Sequence, residues 1–136
     1  ESAYKMIVEL RAVVDEGTAG RLRYKYDMPG EIGGKTGTTN NNADAWFMGF
    51  TPHLVSGVWG GGEDRDIHFD SMRMGQGATM ALPIWAYYMK KVYADPSLPY
   101  DESVKFDLPE GYDGCSSGES SADGAEDALD IEEVYE

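Results

Sequence analysis

A chain of 136 residues bounds the fold to one domain or part of one, long enough to bury a single core. Its formal net charge of −14, with 25 acidic and 11 basic side chains, argues against a nucleic-acid partner. No apolar run reaches the roughly 18 residues that a membrane span needs. The charge is uneven: residues 101–136 hold 13 acids and one base, Lys105, whereas residues 1–100 hold 12 acids and 10 bases. The segment "DGCSSGESSADGAEDALDIEEVYE" is small, polar and acidic, too poor in apolar surface to offset its ordering entropy. It is expected to be a disordered tail, and Cys115 within it, with no partner thiol and no adjacent base, to be inert. The chain opens on Glu1 with no signal peptide and reads as cut from something longer.

The predicted elements follow in order. Ala3, Met6, Ile7, Leu10, Val13 and Val14 fall at helical spacing, with Ser2 as an N-cap and Gly17 as a stop. Residues 17–32 read mostly as loop, with a short strand at "RLRYKY". Two strands follow, "DAWFMGF" at 44–50 and "HLVSGVWG" at 53–60, joined by a tight turn at Thr51-Pro52 into a hairpin. Both carry bulky residues at successive positions, which predicts a sheet covered on both faces. Gly57 and Gly60 to Gly62 open a long loop to about residue 78. A second helix spans Leu82 to Val92, with Pro83 in its first turn and Trp85, Tyr88, Met89 and Val92 on one stripe. Helix, strands and helix in that order predict an α+β layer, two helices on an antiparallel sheet.

The stretch "GGKTGTTNNNAD" precedes the hairpin and is the richest in chemistry. As a phosphate-binding P-loop it fails twice. The first glycine should stand where Pro29 is, and the motif runs into a strand, whereas a P-loop needs helix N-terminal amides. As a K-T-G strand beside a serine nucleophile it makes sense. Its lysine can attract an anionic substrate and shift nearby proton affinities; its threonine hydroxyls can hold a carboxylate. Its glycine lets a substrate backbone approach, even as an added strand, and a backbone N–H further on can join an oxyanion hole.

In the wider context "GGKTGTTNNNADAWFMGFTPHLVSGVWGG", followed by "MGQGATMALPIWAYYM" and preceded by "AYKMIVELRAVVDEGTAG", the chain resembles the end of the transpeptidase domain of class A penicillin-binding proteins, over roughly residues 3–94. The resemblance implies a partial α+β transpeptidase fold: the K-T-G strand and the following hairpin, packed by an N-terminal and a C-terminal helix. It implies a domain portion over 1–96; the acidic tail, 97–136, lies outside it and is expected, from its composition, to be disordered. It also implies a reaction, attack of an active-site serine on the D-Ala-D-Ala end of a peptidoglycan stem peptide. D-alanine leaves, and the acyl group passes to an amine of a neighbouring strand; β-lactams trap the same serine. By position, Lys35 corresponds to the electrostatic helper and Thr36 and Thr38 to the residues that hold the substrate carboxylate. The Thr38 N–H corresponds to an oxyanion donor, and Gly37 keeps the strand clear. The implied partners are the stem peptide and β-lactams, with neither cofactor nor metal. The implied place is the extracytoplasmic face of the bacterial membrane, through an anchor expected, like a glycosyltransferase domain, outside this chain.

Other candidates are weaker. Ser2-Ala3-Tyr4-Lys5 has S-x-x-K form, but Lys35 follows closely and the stretch matches the helix before K-T-G. No S-x-N occurs, so the chain is expected to bring one wall of an active site and neither catalytic serine. Asn40 to Asn42 shape a loop, and Asp44, Trp46, Phe47, Trp59 and Trp85 read as packing residues. The run "EDRDIHFD" fits no metal-loop spacing and reads as a solvated loop, and His53 follows the hairpin turn. Two other readings stay open: a D,D-carboxypeptidase or β-lactamase-like fragment sharing K-T-G, and a non-catalytic interaction piece.

Overall fold

The computed structural model of the protein describes residues 2–112; Cys115 and the acidic run after it lie outside them. Helix α1 (Ser2–Asp15) leads through a single helical turn α2 (Arg21–Tyr24) to strand β1 (Gly33–Thr38). A turn over Asn40–Asn42 connects β1 to β2 (Asp44–Phe50), and β3 (Val55–Gly61) completes the sheet. A loop, the short helix α3 (Met72–Gly75) and the long helix α4 (Ala81–Ala94) follow. The sheet is antiparallel in the order β1-β2-β3, so β1 is an edge. The α+β expectation holds, with helices and sheet as two layers.

Pleating sorts the side chains. Ala45, Phe47 and Gly49 of β2 point to an inner face, with Ser56, Val58 and Gly60 opposite them on β3. Trp85 of α4 is fully buried there; its ring meets that of Phe47 edge-on at 5.3 Å, and its Nε1–H donates to Ser56 Oγ at 2.8 Å. Gly49 makes this contact possible, since a Cβ on it would lie 2.4 Å from the Trp85 ring. Val14, Ala19 and Leu22 join the same core, so α1, α2 and α4 all lie on the inner side.

The other face departs from expectation. Trp46, Met48 and Trp59 are 43%, 45% and 47% exposed, so the sheet is covered on one face only among the described residues. Trp46 and Trp59 therefore pack on each other, centroids 6.5 Å apart, rather than in a core. The bulky residues at successive positions are real, but one helical layer can cover only alternate ones. The strand expected at "RLRYKY" is also overturned. Leu22 and Tyr26 are buried while Tyr24 is 77% exposed, the four-residue spacing of a helical turn rather than strand alternation. In α1, Val14 is buried and Ile7, Leu10 and Val13 are partly so, but Ala3 and Met6 face outward.

Packing also continues past residue 96, into the segment expected to be an acidic tail. The Phe106 ring meets that of Phe50 at 5.7 Å, its N–H donates to Glu31 Oε2 at 2.8 Å, and Tyr112 packs edge-on against Tyr4. Glu31 also pairs with Arg11 of α1 at 3.1 Å, tying the helix, the approach to β1 and this segment together.

Candidate functional site

Strand β1 is short, extended and rich in glycine, and its register opposite β2 fixes what it presents. Lys35 lies opposite Met48 and Gly37 opposite Trp46; Thr36 and Thr38 lie opposite Phe47 and Ala45. Just beyond the strand, the Thr39 N–H donates to the Asp44 carbonyl at 3.1 Å. Antiparallel ladders alternate hydrogen-bonded and non-hydrogen-bonded pairs. Counting back from Thr39, the pairs at Gly37 and Lys35 are bonded and those at Thr38 and Thr36 are not. The backbone N–H and C=O groups of Thr36 and Thr38 thus point away from β2, to the free edge. This is the arrangement an incoming extended peptide pairs with.

The side chains flank that edge. Lys35 is exposed, and its Nζ donates to the Thr36 carbonyl at 2.8 Å, one of the edge acceptors. Thr36 Oγ1 lies 3.3 Å from Thr18 Oγ1, on the loop after α1. Thr38 Oγ1 accepts the Gly77 N–H at 3.1 Å, which occupies a lone pair and leaves its own O–H free to donate, as holding a carboxylate requires. Gly77 itself is irreplaceable by shape. A Cβ there would sit 2.3 Å from the Trp46 carbonyl oxygen and 2.7 Å from that of Gly37. Sequence reasoning missed Gly77 as a site residue; it stands in the quoted run "MGQGATM", but nothing local shows that this run returns to β1.

The end of β1 is closed by a reciprocal pair. Thr39 Oγ1 donates to Asp44 Oδ2 at 3.2 Å and accepts the Asp44 N–H at 2.9 Å, while Asp44 Oδ1 accepts Trp59 Nε1–H at 2.8 Å. Asp44, expected to be a packing residue, thus pins the β1–β2 turn. Within the turn, Asn41 and Asn42 have φ of 61° and 54°, the left-handed region that asparagine tolerates best after glycine. Asn42 Nδ2 donates to the Phe69 carbonyl at 3.2 Å, fastening the turn to the loop after β3. Between turn and loop lies an open cleft of about 390 Å³, lined by Thr38, Thr39, Asn40, Asn41, Ala43 and Arg65.

Ser2 lies in α1, which packs mainly on β1, and it appears in none of the contacts of the site. Among the described residues no group of three or more His, Cys, Asp or Glu side chains could hold a metal, and no helix is long and apolar enough to cross a membrane.

The α+β fold and its K-T-G strand are those of a class A penicillin-binding protein, and the chain belongs to that family as a fragment of the transpeptidase region. Penicillin-binding protein 1A of Aquifex aeolicus (strain VF5) is 47% identical over 83 residues, covering 61% of this chain and 11% of that protein. Penicillin-binding protein 1A of Rickettsia bellii (strain RML369-C) is 41% identical over 108 residues, 76% of this chain and 13% of that one. The crystal structure of penicillin-binding protein 1A from Haemophilus influenzae superposes with a TM-score of 0.60 at 30% identity, over 74% of this chain and 15% of that one. The chain thus spans only 11% and 13% of the length of the two curated relatives. No family model matches it.

Proposed function

We propose that this chain is the K-T-G wall of a serine D,D-transpeptidase that cross-links peptidoglycan stem peptides and is acylated by penicillin. The observation that carries the reading is the edge of β1. An exposed ammonium, two hydroxyls and the outward N–H of Thr38 converge on one extended strand with an open cleft at its end. In this reading the donor peptide lies along that edge. Lys35 attracts its anionic end and assists the serine electrostatically, and the Thr36 and Thr38 hydroxyls hold its terminal carboxylate. Gly37 leaves the approach clear. The Thr38 N–H stabilises the oxyanion as the serine oxygen, supplied from outside this chain, bonds to the scissile carbonyl carbon. One such donor is worth about 10²–10³ in rate. The C–N bond breaks, D-alanine leaves with a proton, and an amine from a neighbouring peptide then takes the acyl group.

Residues 1–96 are proposed as the C-terminal portion of the transpeptidase domain, with the acidic character of 97–136 as an appendage whose first part, to residue 112, lies on the body. The working location is the extracytoplasmic face of the bacterial membrane.

Fluorescent penicillin tests the proposal. The longer protein carrying this stretch is expected to be labelled, and Lys35→Ala in it to lose most of that labelling. The 136-residue chain alone is expected to remain unlabelled. A longer protein that never reacts sinks the proposal in favour of a non-catalytic role. Labelling of the isolated chain that vanishes in Ser2→Ala would put the nucleophile on α1 instead.

A further inference from the structure

The hydroxyls of Thr36 and Thr38 are supported in different ways. The two residues stand two positions apart on β1, so their side chains leave the same face of the strand. The Thr38 hydroxyl faces the Gly77 N–H, which can only donate, so Thr38 is fixed as the acceptor of that bond. Thr36 faces another hydroxyl, Thr18 Oγ1 at 3.3 Å, and either of the two can be the donor. Among the described residues each of these two hydroxyls is the other's only hydrogen-bond partner.

Thr18 is held in place although its side chain is exposed. It sits in the short connection between α1 and α2. The Ala19 N–H donates back to the Val13 carbonyl at 3.0 Å and the Gly20 N–H to the Gly17 carbonyl at 3.0 Å, and Ala19 itself is fully buried in the core. Arg23 of α2 closes the connection by pairing with Asp15, the last residue of α1, at 2.8 Å. A hydroxyl on so short and pinned a turn keeps its distance from β1 with little freedom left to lose.

A threonine hydroxyl has one proton and two lone pairs. If the Thr36 proton points at Thr18, none remains for a bound anion. If Thr18 donates instead, the Thr36 proton is free, and the bond that Thr36 accepts polarises its O–H and makes it a better donor. A carboxylate only accepts, so it selects the second arrangement. This step rests on the proposed function, in which Thr36 holds the terminal carboxylate. We propose that Thr18 is a positioning residue: its hydroxyl donates to Thr36 Oγ1 and so commits the Thr36 O–H to the terminal carboxylate of the donor peptide or of penicillin.

The test uses the full-length protein and two fluorescent penicillins, one with its free carboxylate and one as the methyl ester. The readout is the second-order acylation rate. Thr18→Val keeps the shape of the side chain and removes the proton. It should slow the carboxylate about fivefold, as for one lost hydrogen bond. The ester, with no charge to draw the Thr36 proton, should lose less than about twofold. Thr18→Ser restores a hydroxyl on the same turn and should return the carboxylate rate to within about twofold of the wild type. In a Thr36→Val protein, Thr18→Val should add nothing, because the relay is already broken. A Thr18→Val protein that acylates like the wild type overturns the proposal. Equal slowing of carboxylate and ester marks Thr18 as structural and overturns it too, as does a loss that persists on top of Thr36→Val. These outcomes differ from failure of the transpeptidase reading, in which neither penicillin acylates the wild type.

Discussion

Gly77→Ala isolates how the site is held. The added Cβ would meet the Trp46 carbonyl oxygen at 2.3 Å, that of Gly37 at 2.7 Å and the Gly37 nitrogen at 3.1 Å. All three are backbone atoms of two paired strands, so no side chain can rotate aside. Ordinary carbon contacts need well over 3 Å, so the loop must retreat by roughly an ångström. The Gly77 N–H now lies 3.1 Å from Thr38 Oγ1, and that retreat takes it beyond hydrogen-bonding range. Overpacking of this kind costs about 1–3 kcal/mol of stability. The lost hydrogen bond, worth about 1 kcal/mol, leaves the Thr38 hydroxyl free to rotate away from its donor position. Acylation of the full-length protein by fluorescent penicillin should therefore slow about fivefold or more. Rates should be normalised to the fraction of protein that titrates as folded, and a lower melting temperature should accompany the loss. A Gly77→Ala protein that melts and acylates like the wild type would show that the loop does not position Thr38, and the account of the site would fail.

Three other outcomes follow from the same contacts. Trp85→Ala removes the largest fully buried side chain and should cost about 3–5 kcal/mol in denaturant unfolding of the full-length protein, with Ser56→Ala near 1–2 kcal/mol because it orphans the indole N–H; equal small effects would contradict the packing described. The isolated chain, with Trp46, Met48 and Trp59 half-exposed on one sheet face, should self-associate and bind an apolar dye, and a dye-silent monomer with a sharp melt would count against an uncovered face. The Tyr93 phenol is held above its ordinary value, first by burial and then by Glu102. Ionisation is disfavoured in the folded state, so the stability linked to this group is intact below pH 10 and declines as pH rises through the folded value; Tyr93→Phe should flatten that decline in alkaline unfolding curves, and an unchanged slope would refute the assignment.

How far the sequence reaches can be read from individual residues. The hairpin was legible because Thr51-Pro52 interrupts two runs of strand-forming residues, and the turn does close there, the Thr51 N–H donating to the Leu54 carbonyl at 2.8 Å. Helix α4 was legible from Pro83 and the spacing of Trp85, Met89 and Val92, all three buried. Tyr88, placed on the same stripe, is 43% exposed, since a helix on one sheet face buries a narrower arc than its apolar residues span. "RLRYKY" misled because its apolar residues alternate, and only the core shows that Leu22 and Tyr26 are used while Tyr24 is not. Phe106, counted with an acidic tail by composition, turned out to sit against Phe50.

The sequence by itself determined the backbone state of each main segment and the K-T-G strand, since propensity, periodicity and turn residues act between near neighbours. Only the tertiary structure decided that Gly77 holds Thr38, that Trp85 fills the space left by Gly49, that Trp46 and Trp59 are left half-exposed, and that Arg65 lines the cleft beside Asn41. Each of these depends on which distant segments the folded chain brings within a few ångströms of each other. That is set by the closure of the whole core, which no local pattern records.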